Sequence, residues 1–351
     1  AEYHDAWAQS LASNEISDEQ KEFLREPYFK PPLYPYLLSG WYGIFGRTLW
    51  HVKLAQAVLG ALGCVWIFLI TRKIFGVAPA WFAAVLGAAY WPWVFFDAWL
   101  LNTELVIFLD LTTAWFLLEY WKIGSMWRLL AAGLTAGLSA VTWPTGLLVI
   151  VFLALWIGLT SSKKLPRRRR IAPIARFLIL AAIPVLIVAA RNQVVGRDTV
   201  LISSNGGINL YTGSHPQADG VSAVPTGIEW ERLMRETDQA GDLQPSSASR
   251  YWRRKAWKHI KDSPTRYAAL MLKRAVLFFN KAEPRNNIAQ AYFLEQFPWL
   301  RMLAGFSLVG PLWFLGVGIW LIAMGKSRRN GAALMIGCWL CLAYVGARWV
   351  G

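Results

Sequence analysis

The stretch LAQAVLGALGCVWIFLITRK, residues 54–73, decides the class of this protein. It carries no charge until Arg72 and Lys73, which brings it close to the roughly 20 apolar residues that a helix needs to cross the hydrocarbon of a bilayer. Similar runs follow it, and 56% of the 351 residues are hydrophobic. Only 16% are charged, against about 25% in ordinary soluble domains. This composition excludes a soluble helical protein and predicts an integral membrane protein.

Eight apolar segments are predicted to cross the bilayer. They run at about 52–71, 76–95, 99–121, 128–143, 145–161, 173–190, 302–324 and 331–349. The tripeptide Trp143-Pro144-Thr145 alone separates the fourth segment from the fifth. This pair is therefore either two short tilted spans or one helix that the proline breaks.

The Lys and Arg residues of the short loops predict the orientation. They follow the first segment and lie between the third and fourth, the fifth and sixth, and the last two. With eight alternating spans these four loops share one side, and an excess of Lys and Arg marks the cytoplasm. Residues 1–51 are therefore predicted to be a first extracytoplasmic loop, and residues 191–301 an extracytoplasmic domain. About six helices lie in 52–190, and the last two lie in 302–351.

The net charge of +15 has the same origin, because the basic residues collect at the ends of apolar segments. Nucleic acid is therefore not an expected partner. The block SSKKLPRRRRIAPIAR, residues 161–176, is interpreted as a topological anchor in preference to a binding site for anionic lipid headgroups.

The polar segment 191–301 is predicted to mix strand and helix. RDTVLISSNGGINLYTG, residues 197–213, contains a short β-branched run and a Gly-Gly turn. WERLMRETDQAG (230–241) and PSSASRYWRRKAWKHIKDSP (245–264) are typical of helices. TRYAALMLKRAVLFFNKAEP (265–284) has basic and apolar faces, and we expect it to lie on the membrane surface.

This layout suits a reaction on a lipid headgroup at the membrane surface. Glycosyl transfer from a polyprenyl phosphate needs a carboxylate to accept the proton of the acceptor. It also needs Lys or Arg to stabilise the charge that develops on the departing phosphate.

Four stretches resemble one family closely enough to name it. EPYFKPPLYPYLLSGWYGIFG (26–46) and AEYHDAWAQSLA (1–12) resemble the first outer loop of GT-C glycosyltransferases, in the branch of the protein O-mannosyltransferases and the aminoarabinose transferases. RNQVVGRDTVLISSNGGINLYTGSHPQADG (191–220) and SRYWRRKAWKHIKDSP (249–264) are similar to the outer domain of bacterial members.

The resemblance implies an all-α polytopic membrane bundle of GT-C type with a small mixed α/β extracytoplasmic domain. It implies an inverting enzyme of the bacterial inner membrane. Such an enzyme takes a sugar from a polyprenyl-phosphate-linked donor and transfers it to a protein or glycolipid hydroxyl on the extracytoplasmic face.

The resemblance also implies roles for individual residues. Asp5-Ala6-Trp7-Ala8 matches the later part of the acidic motif of the family, whose leading Asp would fall just before Ala1. The nearest remaining carboxylates, Glu2 and Asp5, are the catalytic candidates, with a solvated loop acid as the alternative for Glu2. The candidate ligands of the donor phosphate are Lys30, Arg191 and Arg348. The candidates for the substrate cavity are Glu26, Asp97, Glu104, Asn205, Asn209, Tyr211, Glu283 and Asn286.

Two departures from the family pattern weaken the assignment. Val141-Thr142-Trp143-Pro144 lacks the Arg that relatives often place before the proline, and Val350 replaces a second Arg after Arg348. Asp110 lies deeper in its segment and is expected to pair with another polar group. The four histidines show no ligand spacing for a metal, although some relatives use a divalent cation, so a metal is neither predicted nor excluded.

Two other classes of function remain open. A transporter or flippase for a lipid-linked sugar would show paired broken helices and repeats related by pseudo-symmetry, whereas the sequence shows one break, at Pro144. A non-catalytic membrane subunit or fragment would fit the missing leading Asp.

Overall fold

In a computed structural model, the described residues are 2–12, 24–160, 167–219, 228–239, 241, 244–278 and 294–303. They form helices joined by turns and loops, and no β-strand is found among them. The helices are α1 (Glu2–Ala12), α2 (Leu33–Phe45), α3 (Leu49–Phe75), α4 (Val77–Ala88), α5 (Trp91–Asp97), α6 (Thr103–Ile123), α7 (Met126–Thr142), α8 (Gly146–Thr160), α9 (Arg167–Val194), α10 (Gly206–Thr212), α11 (Ile228–Gln239), α12 (Pro245–Asp262) and α13 (Pro264–Phe278), followed by a 3₁₀ turn at Pro298–Met302. The all-α prediction for the bundle is confirmed.

The apolar helices follow the predicted membrane segments closely. Two of them, Leu49–Phe75 and Ile171–Val194, are long and apolar enough to cross a membrane, and Val77–Ala88 and Gly146–Gly158 are shorter apolar helices. The first six predicted segments fall on α3 to α9. The predicted segments 302–324 and 331–349 lie outside the described residues, apart from the first two positions of the former.

Two chain breaks shape this part of the molecule. The second predicted segment, 76–95, is not one helix, because α4 ends at Ala88 and α5 begins at Trp91 with Pro92 in its first turn. At Trp143 the backbone is extended (φ −149°, ψ 107°), so α7 and α8 are separate helices. The alternative left open at Pro144 is thereby decided in favour of two helices.

The described residues fall into two compact units. The first contains 2–12 and the described residues of 31–188, and the second contains 24–30 and the described residues from 189 to 303.

In the first unit, glycines allow α7 and α9 to approach closely. A Cβ on Gly133 would lie 2.5 Å from the carbonyl oxygen of Phe177, and one on Gly137 would lie 2.3 Å from that of Ala181. The spacing of these two glycines is the small-xxx-small pattern of helix pairs in membranes.

The second unit is organised around Asn192, which is fully buried near the end of α9. Its Oδ1 accepts a hydrogen bond from the backbone N–H of Tyr28 at 3.1 Å. Its Nδ2 donates to the carbonyl oxygens of Val200 at 3.0 Å and Ile202 at 3.3 Å. One amide thus satisfies three backbone groups of two irregular segments, which have no strand partners of their own.

Asp198 has a similar role at the start of α12. Its Oδ2 accepts a hydrogen bond from the N–H of Ser246 at 2.7 Å, and its Oδ1 accepts one from the N–H of Thr199 at 2.7 Å. A carboxylate at a helix N-terminus satisfies a free backbone donor and opposes the positive end of the helix dipole.

The mixed α/β character predicted for 191–301 is not confirmed in the described residues. The β-branched run at 199–203 is an irregular loop, and the predicted Gly-Gly turn begins the short helix α10. The β-branched pattern failed as a predictor here because Asn192 supplies the hydrogen bonds that a neighbouring strand would otherwise give.

The stretch KPPLYPY, residues 30–36, is irregular to Pro32, and α2 begins at Leu33. Pro35 fits in the first turn of α2, where a backbone N–H has no intrahelical acceptor to lose.

Candidate active site

The candidate site in the first unit begins with the packing of α1 on α2. His4, Trp7 and Ala8 form the buried face of α1. The His4 ring meets the Tyr34 ring edge-on at 5.4 Å, and the Trp7 ring meets the Tyr36 ring at 6.5 Å. Aromatic edge-to-face contacts fix α1 in rotation about its own axis, which determines where its acidic side chains lie.

Asp5 is the polar centre of this helix pair. The Tyr42 hydroxyl donates a hydrogen bond to its Oδ1 at 2.6 Å, and the Arg47 guanidinium donates to its Oδ2 at 2.7 Å. Burial alone would raise the pKa of Asp5, but the hydrogen bonds and charge of Arg47 and the Tyr42 hydroxyl outweigh it and hold the pKa below its ordinary value. Asp5 is therefore ionised, with hydrogen bonds to both of its oxygens.

The Tyr42 hydroxyl keeps its proton as a consequence. Burial, and then the hydrogen bond to the Asp5 carboxylate, raise the pKa of Tyr42 well above its ordinary value. The tyrosine is thus a fixed donor to Asp5 at neutral pH.

Glu2, the other catalytic candidate, is exposed on the preceding turn of α1. Residues three apart on a helix lie on the same side of it, so Glu2 and Asp5 project from neighbouring positions. The two carboxylates differ in their surroundings, because Asp5 is held by two donors whereas Glu2 faces solvent.

An apolar groove of about 610 Å³ lies along the other side of α2. Most of its wall is aliphatic or aromatic, with polar atoms from Tyr34, His51 and Gln56. Its lining residues are Tyr34, Leu37, Leu38, Trp41, Phe45, His51, Val52, Leu54, Ala55, Gln56, Val58, Leu59 and Leu105. A groove of this volume and apolar lining fits an isoprenoid or acyl chain better than a polar substrate.

Gln56 joins the groove to the loop that precedes α6. It accepts a hydrogen bond from the Tyr34 hydroxyl at 2.8 Å, and its Nε2 donates to the carbonyl oxygens of Asp97 at 3.1 Å and Trp99 at 2.7 Å. One amide on α3 thereby fixes both α2 and the α5–α6 connection.

Asp97 and Glu104, two of the predicted cavity residues, lie beside one another. Asp97 Oδ1 and Glu104 Oε1 are both buried and have no hydrogen-bond partner among the described residues. The Trp93 indole N–H donates to Glu104 Oε2, and Gly60 on α3 leaves the space that Asp97 occupies. Glu104 is only 1% exposed and Asp97 is half-buried, so the pair lies largely inside the first unit.

Asp110 is also buried, and Ser139 on α7 donates a hydrogen bond to its Oδ1 at 2.6 Å. The expectation that Asp110 pairs with a polar group inside the bundle is confirmed.

Three predicted residues belong to the second unit, namely Glu26, Lys30 and Arg191. The Arg191 guanidinium donates to the backbone carbonyls of Leu24 and Glu26 and stacks over the Tyr28 ring at 4.2 Å. These contacts fix the backbone of residues 24–28 against the end of α9. The Glu26 side chain is exposed.

Lys30 is half-buried, and burial lowers the pKa of its ammonium group. A cation that has lost part of its hydration gains more from an anionic ligand than a solvated one does. The neighbouring backbone is fixed by hydrogen bonds from the N–H groups of Ser204 and Asn205 to the carbonyl oxygens of Tyr28 and Phe29.

The region of α10 contains Asn205, Asn209 and Tyr211. It forms a short, partly buried helix, whereas a turn was predicted. Gly207 packs so closely on α12 that a Cβ there would lie 2.0 Å from the carbonyl oxygen of Ser249. Tyr211 lies in an aromatic cluster with Trp252 at 4.7 Å and His259 at 5.9 Å. Its ring is thus part of the packing between α10 and α12.

The remaining predicted site residues, Glu283, Asn286 and Arg348, lie outside the described residues. Within the described ranges no group of three His, Cys, Asp or Glu side chains is arranged to hold a metal ion. A divalent cation, which some relatives use, stays neither predicted nor excluded.

Sequence reasoning missed Tyr42, Arg47 and Gln56, which orient the predicted residues. A signal for Arg47 existed, because it is a lone cation shortly after an aromatic amphipathic helix. No sequence signal joins Gln56 to residues 41 and 43 positions further along the chain.

Comparison with known proteins gives one family match and two structural ones. Residues 29–188 match the family described as dolichyl-phosphate-mannose-protein mannosyltransferase. ArnT from Cupriavidus metallidurans is similar in its apo state, at a TM-score of 0.45, and bound to undecaprenyl phosphate, at 0.44. Sequence identity is 16% in both cases, and the alignments cover 99% of this chain and 72% or 71% of ArnT. No curated protein matches the chain.

Proposed function

Residues 29–188 match the mannosyltransferase family, and from this match we propose that the chain is a membrane glycosyltransferase of the GT-C superfamily. The enzyme moves a sugar from a polyprenyl-phosphate donor to a hydroxyl of a protein or glycolipid, with inversion at the anomeric carbon. The reaction takes place on the extracytoplasmic face of the bacterial inner membrane.

One observation carries this proposal beyond the family match. Helix α2 presents an apolar groove on one side and, through Tyr42, anchors the acidic helix α1 on another. A lipid-linked sugar needs both features, a dry channel for its chain and carboxylates near its headgroup.

The chemistry requires few protein groups. The acceptor hydroxyl attacks the anomeric carbon, the bond from that carbon to the phosphate oxygen breaks, and the hydroxyl proton passes to a carboxylate. In our proposal Glu2 accepts this proton, because it is exposed and carries no hydrogen bond from a cation in the described part of the chain. Asp5, held by Arg47 and Tyr42, is a positioning residue that fixes α1.

Lys30 is the proposed cation for the donor phosphate, supported by its place in the Lys-Pro-Pro-Leu stretch and by its partial burial. Arg348 is retained as a second phosphate ligand on the strength of the resemblance. Arg191 is proposed instead to hold the backbone that leads to Lys30.

The test is a transfer assay with purified full-length protein and radiolabelled polyprenyl-phosphate sugars. We expect Glu2→Gln to lower kcat about 10²- to 10⁴-fold with little change in the KM for the donor, because a general base is lost. Lys30→Ala should raise the KM for the donor about 10-fold or more, because a charge-assisted contact is lost.

Lys53→Ala is the matched control for Lys30→Ala, because Lys53 is an exposed cation on α3 and lies outside the proposed site. Turnover that is unchanged in both Glu2→Gln and Lys30→Ala would overturn the site assignment. Release of free sugar in place of transfer would show that the enzyme uses this donor and that the assay lacks the acceptor.

A transporter of the same lipid-linked sugar is the second candidate. The two helix breaks, between α4 and α5 and between α7 and α8, are the observation in its favour. Proteoliposomes distinguish the two functions, because a transporter moves a fluorescent donor across the bilayer with its sugar still attached.

A further inference from the structure

Helix α12 has two opposite faces of different chemistry. Its inner face is packed against α10 and includes Ser249, Trp252 and Ala256, of which Ala256 is fully buried. At 100° per residue, the opposite side carries five cations and one tryptophan. This basic face consists of Arg250, Arg253, Arg254, Trp257, Lys258 and Lys261, and all six residues are exposed.

Other cations of the same unit are already engaged by the protein. Lys255, on the flank of α12, pairs with Glu236. On α13, Arg266 donates to the carbonyl oxygen of His215 at 3.2 Å and Lys273 donates to that of Asp219 at 2.7 Å. Arg274 likewise donates to the carbonyl oxygen of Gly213 at 2.6 Å.

The cations of α13 are therefore engaged by the 213–219 loop of the same unit. The apolar residue Leu272 of this helix is 67% exposed. The position of α13 at the membrane surface stays a prediction from the sequence.

The cations on the basic face of α12 are not engaged by internal contacts of this kind in the described part of the chain. Arg250 donates to the Ser247 hydroxyl at 2.7 Å, and across the described ranges no carboxylate forms an ion pair with Arg253, Arg254, Lys258 or Lys261. Asp262, at the end of the helix, is the acid nearest to this face in sequence. Five like charges on one face of a helix repel one another and raise the free energy of the folded state unless an anionic surface neutralises them.

Trp257 indicates what kind of surface this is. It is 51% exposed in the middle of the cations, and it lines a surface depression of about 660 Å³ with Arg254, Lys258 and Lys261, and with Asp262 at its edge. Tryptophan prefers the headgroup region of a bilayer, where its ring is in apolar surroundings and its N–H is in polar ones.

We propose that the basic face of α12 binds the acidic phospholipid headgroups of the bilayer in which the chain is embedded. From Arg250 to Lys261 the face extends about 16 Å along the helix axis, which is long enough to contact several headgroups at once. A single soluble phosphate would need neither this length nor an exposed indole ring. The proposal does not depend on the transfer reaction.

The test uses the full chain in nanodiscs of phosphatidylcholine, with or without phosphatidylglycerol. The rate at which a water-soluble ester acylates each lysine is measured by mass spectrometry. We expect the acidic lipid to slow acylation of Lys258 and Lys261 about fivefold, the factor that corresponds to one cation at an anionic surface. Lys255 is the internal reference, because its ammonium is paired with Glu236.

Two matched double variants separate the basic face from general charge. Arg253→Glu with Arg254→Glu should remove the protection of Lys258 and Lys261. Arg232→Glu with Arg235→Glu makes the same change in charge on exposed positions of α11 and should leave the protection intact. High salt should weaken this protection, because salt screens the attraction between the lysines and the anionic headgroups.

Equal acylation rates in the two nanodiscs would overturn the proposal. Inorganic phosphate added to the phosphatidylcholine nanodiscs at matched ionic strength is expected to have no effect. Protection by inorganic phosphate equal to that by phosphatidylglycerol would also overturn it, by showing that the face binds a soluble anion.

Discussion

At the scale of single residues, Asp5 accepts hydrogen bonds from residues 37 and 42 positions away, Tyr42 and Arg47. The depressed pKa of Asp5 means that the Asp5–Arg47 pair stabilises the α1–α2 contact fully above the unfolded-state pKa of about 3.9. That contribution is lost as the pH falls through the lower, folded-state pKa. Because Arg47 is half exposed, the pair contributes little to global stability. Its effect should appear in the position of α1.

The first prediction concerns Arg47→Met. Burial raises the pKa of Asp5, and without the guanidinium mainly the Tyr42 hydroxyl lowers it. The pKa of Asp5 therefore rises in this variant, and Asp5 is protonated at higher pH. We expect the acid limb of the pH–activity profile to move to higher pH, with activity near neutral pH largely retained. Transfer assays from acid to neutral pH measure this shift. Lys53→Met is the control, and an acid limb identical to that of the wild type would disprove the positioning role of Asp5.

The second prediction concerns Asn192→Leu. The substitution leaves one buried N–H and two carbonyl groups without the side-chain partner that they have in the folded protein. We expect a loss of about 1–3 kcal/mol per unsatisfied group that cannot reach water, seen as a lower unfolding temperature in detergent. Asn209→Leu, at a partly buried asparagine of α10, should have a much smaller effect. Equal losses in the two variants would contradict the role given to Asn192.

The sequence predicted the roles of some of these residues and not of others. Asp5 could be selected because its motif resembles that of a family. Asn192 could be chosen only as a polar residue at a helix end, since its partners lie up to 164 positions away. The contacts of Arg191 with the carbonyl oxygens of Leu24 and Glu26 could not be predicted, because the sequence does not show that these residues lie near the end of α9.

At the scale of helices, hydropathy predicted where the apolar segments are, and Pro144 indicated the break between α7 and α8, but the break between α4 and α5 was not predicted. The gap between α4 and α5 follows from Trp91-Pro92, and proline is compatible with the first turn of a new helix as well as with the end of an old one. The glycines of α7 are equally ambiguous, because only the position of α9 shows that Gly133 and Gly137 form a contact.

The third prediction tests that contact. Gly137→Leu would place a side chain against the backbone of Ala181 and should destabilise the fold by about 1–3 kcal/mol or prevent folding. Gly137→Ala, which adds one methyl group, should lower the unfolding temperature by less and keep the variant measurable. Gly40→Ala is the control, because a Cβ at Gly40 meets nothing within 4 Å and alanine favours a helix. An unchanged unfolding temperature in Gly137→Ala would refute the close crossing of α7 and α9.

At the scale of the whole molecule, the proposed reaction depends on topology. The acids of α1 belong to residues 1–51, and the cations and aromatic side chains of α10 to α13 belong to 191–301. Loop charge places these two stretches on one side of the membrane, and the predicted number of spans between them agrees with that placement. A reaction on a lipid headgroup by residues of the first loop and the later domain requires that they share a compartment.

Single-cysteine labelling measures this topology directly, in a background in which Cys64, Cys338 and Cys341 are replaced by serine. Thr48→Cys, Ser263→Cys and Ser125→Cys would be treated in intact cells with a maleimide that does not cross membranes. The first two should react at once, and Ser125→Cys, in a loop predicted to be cytoplasmic, should react only after the cells are opened. Reaction of Thr48→Cys and Ser263→Cys from opposite sides of the membrane would contradict the proposed function.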